Sequence, residues 1–348
     1  MNIKLENIGI LKNADVTIDG LTVIAGENDT GKSTVGKSLY FALKSLFDLK
    51  NLLGFINKDE KLNTESDKRF GLIEKLIFDN QISEINNDGY ISLAIKEDRY
   101  KFNIINQQAH IPENFEGTNR QIKNIKLPIM IETPLVWNFN KFFNQMSILE
   151  SRSGMIGEEI SIDYPYFLKE LHYRLNIPSK KQGLNIVDNI SLLINGDFRQ
   201  DGIGNFFFYK DGKKIELLNT ATGIKYFGIL QILSKNNYLN ENTLLILDEP
   251  EVHLHPKWQL EMAKVIVNLV KNGVKILVNS HSPYMIEALK RYSDIEGIKD
   301  KTNFYLAEDG YIKKENDSNT DTLAKIFEKL SEPFDLFEEM ENERFKNG

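Results

Sequence analysis

The nine residues Gly26 to Thr34, GENDTGKST, fit the pattern G-x-x-x-x-G-K-S/T and decide how the rest of the chain is read. Gly26 and Gly31 let the backbone turn so that successive N–H groups point inward at a phosphate, and a helix opening near Lys32 adds its positive end. Glu27, Asn28, Asp29 and Thr30 complete the cradle. Lys32 is placed to reach the β- and γ-phosphates, the Ser33 hydroxyl to ligate Mg²⁺, and Thr34 to follow in the first helical turn. The flanks agree with a strand–loop–helix unit. LTVIAGEN reads as a buried strand feeding the loop, and KSTVGKSLYFALKSLF as the helix leaving it.

A second strong signal lies at residues 243 to 256, TLLILDEPEVHLHP. An apolar strand, Leu244 to Leu247, delivers two acids at its end. Asp248 is the candidate to hold Mg²⁺, directly or through water, and Glu249 to polarise a water against the γ-phosphate. A third buried strand, VKILVNSHSPYMI at 274 to 286, ends in Ser280 and His281. His281 can hydrogen-bond a γ-phosphate and so report whether ATP or ADP is bound. Taken singly, each is a polar residue at a strand end. Together they share one geometry, because parallel strands place their C-terminal ends along one crevice.

The bulk properties set limits. A chain of 348 residues can bury a full core in one large domain or two lobes. With 41% hydrophobic and 27% charged residues, the composition is that of an ordinary soluble protein. The net charge of −7 argues against coating nucleic acid through overall charge, although a local basic face stays open. Zero cysteines exclude disulfides, thiolate metal sites and cysteine nucleophiles. The N-terminus lacks an export signal, and no run approaches 18 apolar residues, so a cytoplasmic protein without a membrane partner is expected.

Along the chain, residues 2 to 25 read as two or three strands, and the loop helix runs to about Leu53, where Gly54 stops it. A charged connection leads to an amphipathic helix around Phe70 to Phe78. Residues 89 to 105 alternate on both sides of a Lys-Glu-Asp-Arg turn and predict a hairpin, and KLPIMIETP at 126 to 134 predicts a buried strand. From Leu135 to Asn195 the spacing is helical in short pieces. A second hairpin spans residues 203 to 218 across Asp211-Gly212, with Phe206 to Tyr209 as sheet core. NFYLAEDGYIKK at 303 to 314 reads as a strand or hairpin. The tail carries Leu323, Ile326, Phe327 and Leu330 on one stripe, for its own head or for a partner.

These motifs resemble the ABC-type ATPase heads of the SMC, RecF and OLD group. The DEPEVHLHP form is particularly similar to compact bacterial ATPases of anti-phage defence systems. The resemblance implies an α/β P-loop NTPase with a mixed and parallel core sheet, an antiparallel β subdomain and a helical lobe. The division implied is 1–134 for the first part of the ATPase lobe, 135–240 for the helical lobe, 241–315 for the rest of the ATPase lobe, and 316–348 for an acidic extension. ATP with Mg²⁺ would be sandwiched between two heads, as a homodimer or higher homo-oligomer, each presenting a signature loop to its partner's nucleotide.

The signature candidate is LLNTATGIKYFGILQIL, residues 217 to 233, with Gly223 opening a helix. Ala221 stands where the family has Ser, leaving Thr220 or Thr222 to supply the hydroxyl. The family's Gln-bearing loop should follow the strand ending at Thr133. No Gln lies there, and Gln145 is the nearest downstream. His253 and His255 form an H-x-H beside Asp248, Glu249 and Glu251; a metal cluster and a dimer-contacting loop both fit, and the resemblance favours the loop. Too little sequence follows the motifs for the TOPRIM nuclease of OLD-type proteins, and no other nuclease constellation is visible. The function implied is an ATP-dependent switch controlling a separate effector such as a nuclease. A RecF-like DNA repair clamp is the alternative, and a transporter's energising subunit a distant third.

Overall fold

The computed structural model describes residues 1–53, 78, 82, 88–110, 125–156, 166–202 and 204–346. The helix expected around Phe70 to Phe78 falls almost wholly outside these residues. Three strands open the chain: β1 (Asn2–Ile8), β2 (Leu11–Thr17) and β3 (Leu21–Ala25). The loop helix, α1, runs from Lys32 to Leu53. The hairpin β4 (Gly89–Ile95) and β5 (Asp98–Ile105) turns at Lys96-Glu97 and is followed by the short β6 (Gln108–Ala109). β7 (Ile129–Ile131) then enters the core.

A helical stretch follows, with α2 (Asn140–Ile156), α3 (Tyr166–Asn176) and α4 (Val187–Ile194). The second hairpin, β9 (Phe206–Lys210) and β10 (Lys213–Glu216), gains a third strand that periodicity did not predict, β8 (Asp197–Gln200). Phe206, Phe207 and Phe208 are all buried there, as expected of sheet core. The remaining elements are α5 (Thr222–Lys235), β11 (Leu244–Asp248), α6 (Pro256–Lys271), β12 (Lys275–Ser280), α7 (Pro283–Ile295), β13 (Thr302–Glu308), β14 (Tyr311–Lys313) and α8 (Asn319–Lys346).

Among the described residues the large sheet has eleven strands in the order β6-β5-β4-β1-β2-β14-β13-β3-β12-β11-β7. Its centre is parallel: β3 lies between β13 and β12, and β11 lies between β12 and β7. These strands are buried on both faces for most of their length, so they read in sequence as largely apolar runs. In β3, Leu21, Val23 and Ala25 face one core and Ile24 the other. Slipping this strand by one residue would exchange the two sets, so its register is firmly fixed.

Two glycines show how tightly the phosphate loop is set. A Cβ at Gly26 would collide with the Ala307 carbonyl of β13, and one at Gly31, whose φ is +88°, with the Leu11 side chain. The stripe expected on the tail packs on its own head: Leu323 and Ile326 are buried, and Phe327 and Leu330 lie against the same core. No described helix is long and apolar enough to cross a membrane.

His172 of α3 supplies a stability test. Its Nε2 lies 3.1 Å from Asn140 Oδ1 in a buried setting, and burial pushes its pKa from 6.5 down to about 4. Between those values the unfolded chain binds the proton that the folded chain refuses, so the His172 contribution to stability falls as pH drops from about 6.5 to about 4 and is constant outside that window. Wild type is expected to lose about 3 kcal/mol more than His172→Gln over that range. Urea midpoints at pH 7.5 and pH 4 measure it; equal losses in both proteins would clear His172 of any part.

Candidate nucleotide site

The crevice is built by four neighbouring strand ends. Register pairs Asp248 of β11 with Asn279 of β12, Ser280 of β12 with Ala25 of β3, and Leu247 of β11 with Ile131 of β7. Residues more than 200 positions apart in sequence therefore meet at one level of the sheet. Ser33 Oγ donates to Asp248 Oδ1 at 3.0 Å, and Asn279 Nδ2 donates to the same oxygen at 2.7 Å. Asn279 is fully buried, so it fixes Asp248 from beneath.

Lys32 lies in the cradle with its side chain almost entirely buried, and its Nζ donates to the Glu27 carbonyl at 2.5 Å. Burial lowers its pKa, while the carboxylates of Glu249, Asp248, Glu251 and Glu27 work in the opposite direction. Thr30 Oγ1 also donates to the Glu27 carbonyl, at 2.8 Å, closing the loop on itself. Asn28 and Asp29 are exposed at its rim. The loop is thus shaped around a buried ammonium, a setting that favours an incoming anion.

The Mg²⁺ reading can be tested on the donors. Adjacent oxygens of an octahedral Mg²⁺ at about 2.1 Å stand about 3 Å apart. Ser33 Oγ and Asp248 Oδ1 have that separation and are hard oxygen donors, so the pair fits the ion. His255 caps α6, its Nδ1 accepting from the Lys257 N–H at 3.3 Å, and His253 is exposed on the turn before it. Among the described residues no group of three or more His, Asp and Glu side chains is arranged to hold a metal.

Glu249 adopts a left-handed backbone, φ +47°, with its N–H donated to the Asn279 carbonyl at 2.9 Å. For a residue with a Cβ such a conformation costs on the order of 1–3 kcal/mol and persists only where its surroundings enforce it. The turn brings Glu249 Oε1 to 3.1 Å from His281 Nδ1. The base and the sensor expected from sequence are therefore hydrogen-bonded to each other.

The sequence pattern singles out neither Glu132 nor Asn279, and Glu251 only as a neighbour of the H-x-H. Glu132, just past β7 and level with Asp248, stands where the missing Gln was sought. It pairs with Lys37 at 3.3 Å, and burial raises its pKa, helped by Asp248 and opposed by Lys37. Gln145, by contrast, is exposed on α2. Asn279 and Glu251 carried no local signal beyond their place next to residues already singled out.

At the start of α5, Gly223 is buried within its own head. A Cβ there would meet Leu254 Cδ2 at 2.5 Å and the His253 carbonyl at 3.0 Å. The Thr220 hydroxyl is committed to the Glu216 carbonyl at 3.1 Å, which leaves Thr222, half-buried, as the free candidate of the two. Ala221 is the N-cap of α5, exposed and without a side-chain cap.

The family described as "AAA domain, putative AbiEii toxin, Type IV TA system" matches residues 21–287. The chain belongs to this family. The match spans the phosphate loop, the acid-ended strand and the His281 strand, and with the sheet described above it bears out an ATPase head of the P-loop type. Over 59 residues the chain is 34% identical to the Old nuclease of Escherichia phage P2, across 17% of this chain and 10% of that protein. It is 38% identical over 45 residues to the Septu protein PtuA of Bacillus thuringiensis, 13% of this chain and 11% of that one. The chain thus spans about a tenth of these two relatives. A longer match, 22% identical over 349 positions, covers 76% of this chain and 66% of the "Retron Vc95 probable ATPase" of Vibrio cholerae serotype O1 biovar El Tor. Among solved structures, the Smc head domain with an extended coiled coil, bound to the C-terminal domain of ScpA, from Pyrococcus furiosus, superposes at a TM-score of 0.47 and 13% identity. That superposition covers 90% of this chain and 94% of the other.

Proposed function

We propose that this protein is an ATP-hydrolysing switch that closes head to head around Mg-ATP and, by opening and closing, controls a separate effector, a nuclease of an anti-phage defence system. The observation that carries the ATPase part is the paired contact at the strand ends: Ser33 on Asp248 and His281 on Glu249, beside the buried Lys32. Lys32 exchanges its bond to the Glu27 carbonyl for the β- and γ-phosphates. Ser33 and Asp248 would hold Mg²⁺, which when bound would offset phosphate charge and polarise the γ-phosphoryl group. Glu249 accepts a proton from the attacking water, and His281 holds its carboxylate from the side. An imidazole donates to Glu249 and to a phosphate together only as imidazolium, so the sensor's two bonds require the doubly protonated ring.

The effector part draws support from the relatives. One is named a nuclease and another is the probable ATPase of a retron. The head-to-head part is supported by the uncapped N-terminus of α5, whose free N–H groups suit a partner's phosphate.

Ala221 supplies the experiment. Because Gly223 is packed beneath its own Leu254, replacing it would disturb the single head first. Ala221 is exposed. Both Ser and Asp at this N-cap are expected to add about 1 kcal/mol to α5, but only Asp places a negative charge where the partner's phosphate must approach. With Glu249→Gln as background, light scattering after size exclusion should show Mg-ATP doubling the mass in the parent and in Ala221→Ser, and not in Ala221→Asp. A mass independent of ATP, or equal dimers in both variants, would rule out the two-head arrangement.

A further inference from the structure

The most deeply buried acid of the crevice is one the hydrolytic reading does not use. Glu251 is only 3% exposed, and its Oε1 accepts three hydrogen bonds: from Ser280 Oγ at 2.6 Å, from the His281 N–H at 2.9 Å and from the Ser282 N–H at 3.3 Å. The same oxygen lies 3.7 Å from His281 Nδ1. Burying a carboxylate is expensive, and here burial raises its pKa while the Ser280 hydroxyl and the backbone N–H groups oppose the shift. Its second oxygen is buried without a hydrogen-bond partner. A group kept at such a cost calls for an explanation beyond packing.

What Glu251 grips is the turn that carries His281. From the other side, Ser282 Oγ donates to Gln259 Oε1 at 2.6 Å, and Gln259 Nε2 donates to the Leu254 carbonyl at 3.0 Å. The turn after β12 is therefore held at both ends by side chains from the β11–α6 segment, which also supplies Glu249. We propose that Glu251 is a positioning residue for hydrolysis, its buried carboxylate fixing the His281–Ser282 backbone so that the imidazole meets Glu249. The proposal rests on the ATPase reading for its consequence, but its geometry can be read without turnover.

The experiment compares Glu251→Asp, Glu251→Ala and Glu251→Gln in the full chain. Asp keeps the charge but falls short by one methylene, whereas Gln keeps an acceptor at the same reach. Two readouts are taken. One is the imidazole ¹⁵N–¹H correlation of His281 in nucleotide-free protein, assigned by its loss in His281→Asn. The other is kcat for ATP set against the Kd of a labelled ATP analogue. Glu251→Asp and Glu251→Ala should move the His281 signals and lower kcat about 10- to 100-fold, the scale of a misplaced catalytic group. ATP affinity should stay within about threefold. Glu251→Gln should keep the signals and restore most of kcat.

Unmoved His281 signals in Glu251→Asp would overturn the proposal. So would a kcat loss in Glu251→Gln as large as in Glu251→Asp, or a matching loss of ATP affinity, which would mark a general structural role. Should Glu251→Ala fail to fold, the Asp and Gln variants decide alone. If wild type does not hydrolyse ATP, the ATPase reading fails by itself, and the His281 signals still decide the positioning role.

Discussion

Glu249→Gln is expected to lower ATP turnover by roughly 10² to 10⁴-fold while leaving ATP binding intact. Gln preserves the length and the hydrogen-bonding capacity of the side chain but cannot accept the water's proton. The left-handed turn at Glu249 is held by the N–H bond to the Asn279 carbonyl, which the substitution does not touch. His281 can still donate from Nδ1 to the amide oxygen, so the sensor keeps its partner. Steady-state phosphate release, with affinity measured in parallel, checks the result. Turnover within threefold of wild type would assign the water to another group. Glu132, the nearby acid at the end of β7, would be tested next by Glu132→Gln.

Lys32→Ala should remove most ATP binding. Its ammonium is buried, bound to the Glu27 carbonyl, and surrounded by Asp248, Glu249 and Glu251, which oppose the fall in its pKa. Without it, a phosphate entering the cradle would meet those carboxylates with no cation from the loop between them. Truncating one member of a buried, hydrogen-bonded charge pair typically costs 2–5 kcal/mol, which corresponds to roughly a 30-fold to several thousand-fold loss of affinity. Equilibrium titration with a labelled ATP analogue measures it. Unchanged affinity would make GENDTGKST an ordinary turn despite its shape.

Much of the site was legible because its signals are local. A glycine-bounded loop between a strand and a helix, two acids ending an apolar run, and a histidine ending another each lie within about a dozen residues. Their chemistry follows from residue type and spacing. The hairpins at 89 to 105 and at Asp211-Gly212 were legible for the same reason, since turn residues and a period of two are written side by side. β8 was not, because a four-residue strand with one buried side chain carries too short a pattern and exists only by pairing with β9.

The sequence by itself therefore determined which residues are candidates for the site and the secondary elements that carry them. Tertiary structure decided their arrangement. The position of β3 between β13 and β12, and the register that sets Asp248 beside Asn279, come from burying both faces of each central strand. That register also makes Glu132, seemingly the wrong residue for its place, a neighbour of Asp248. Gly223 reads in sequence as the start of a helix that faces a partner, yet Leu254 of its own chain fills the space above it. Glu251 reads in sequence as one of three acids beside the H-x-H, and only the closing of the β12 turn over it makes it a buried acceptor of three bonds. In each case the deciding contact joins segments separated by about 30 to more than 100 residues. Such contacts are fixed by which surfaces the whole core can bury together, a property that no local pattern records.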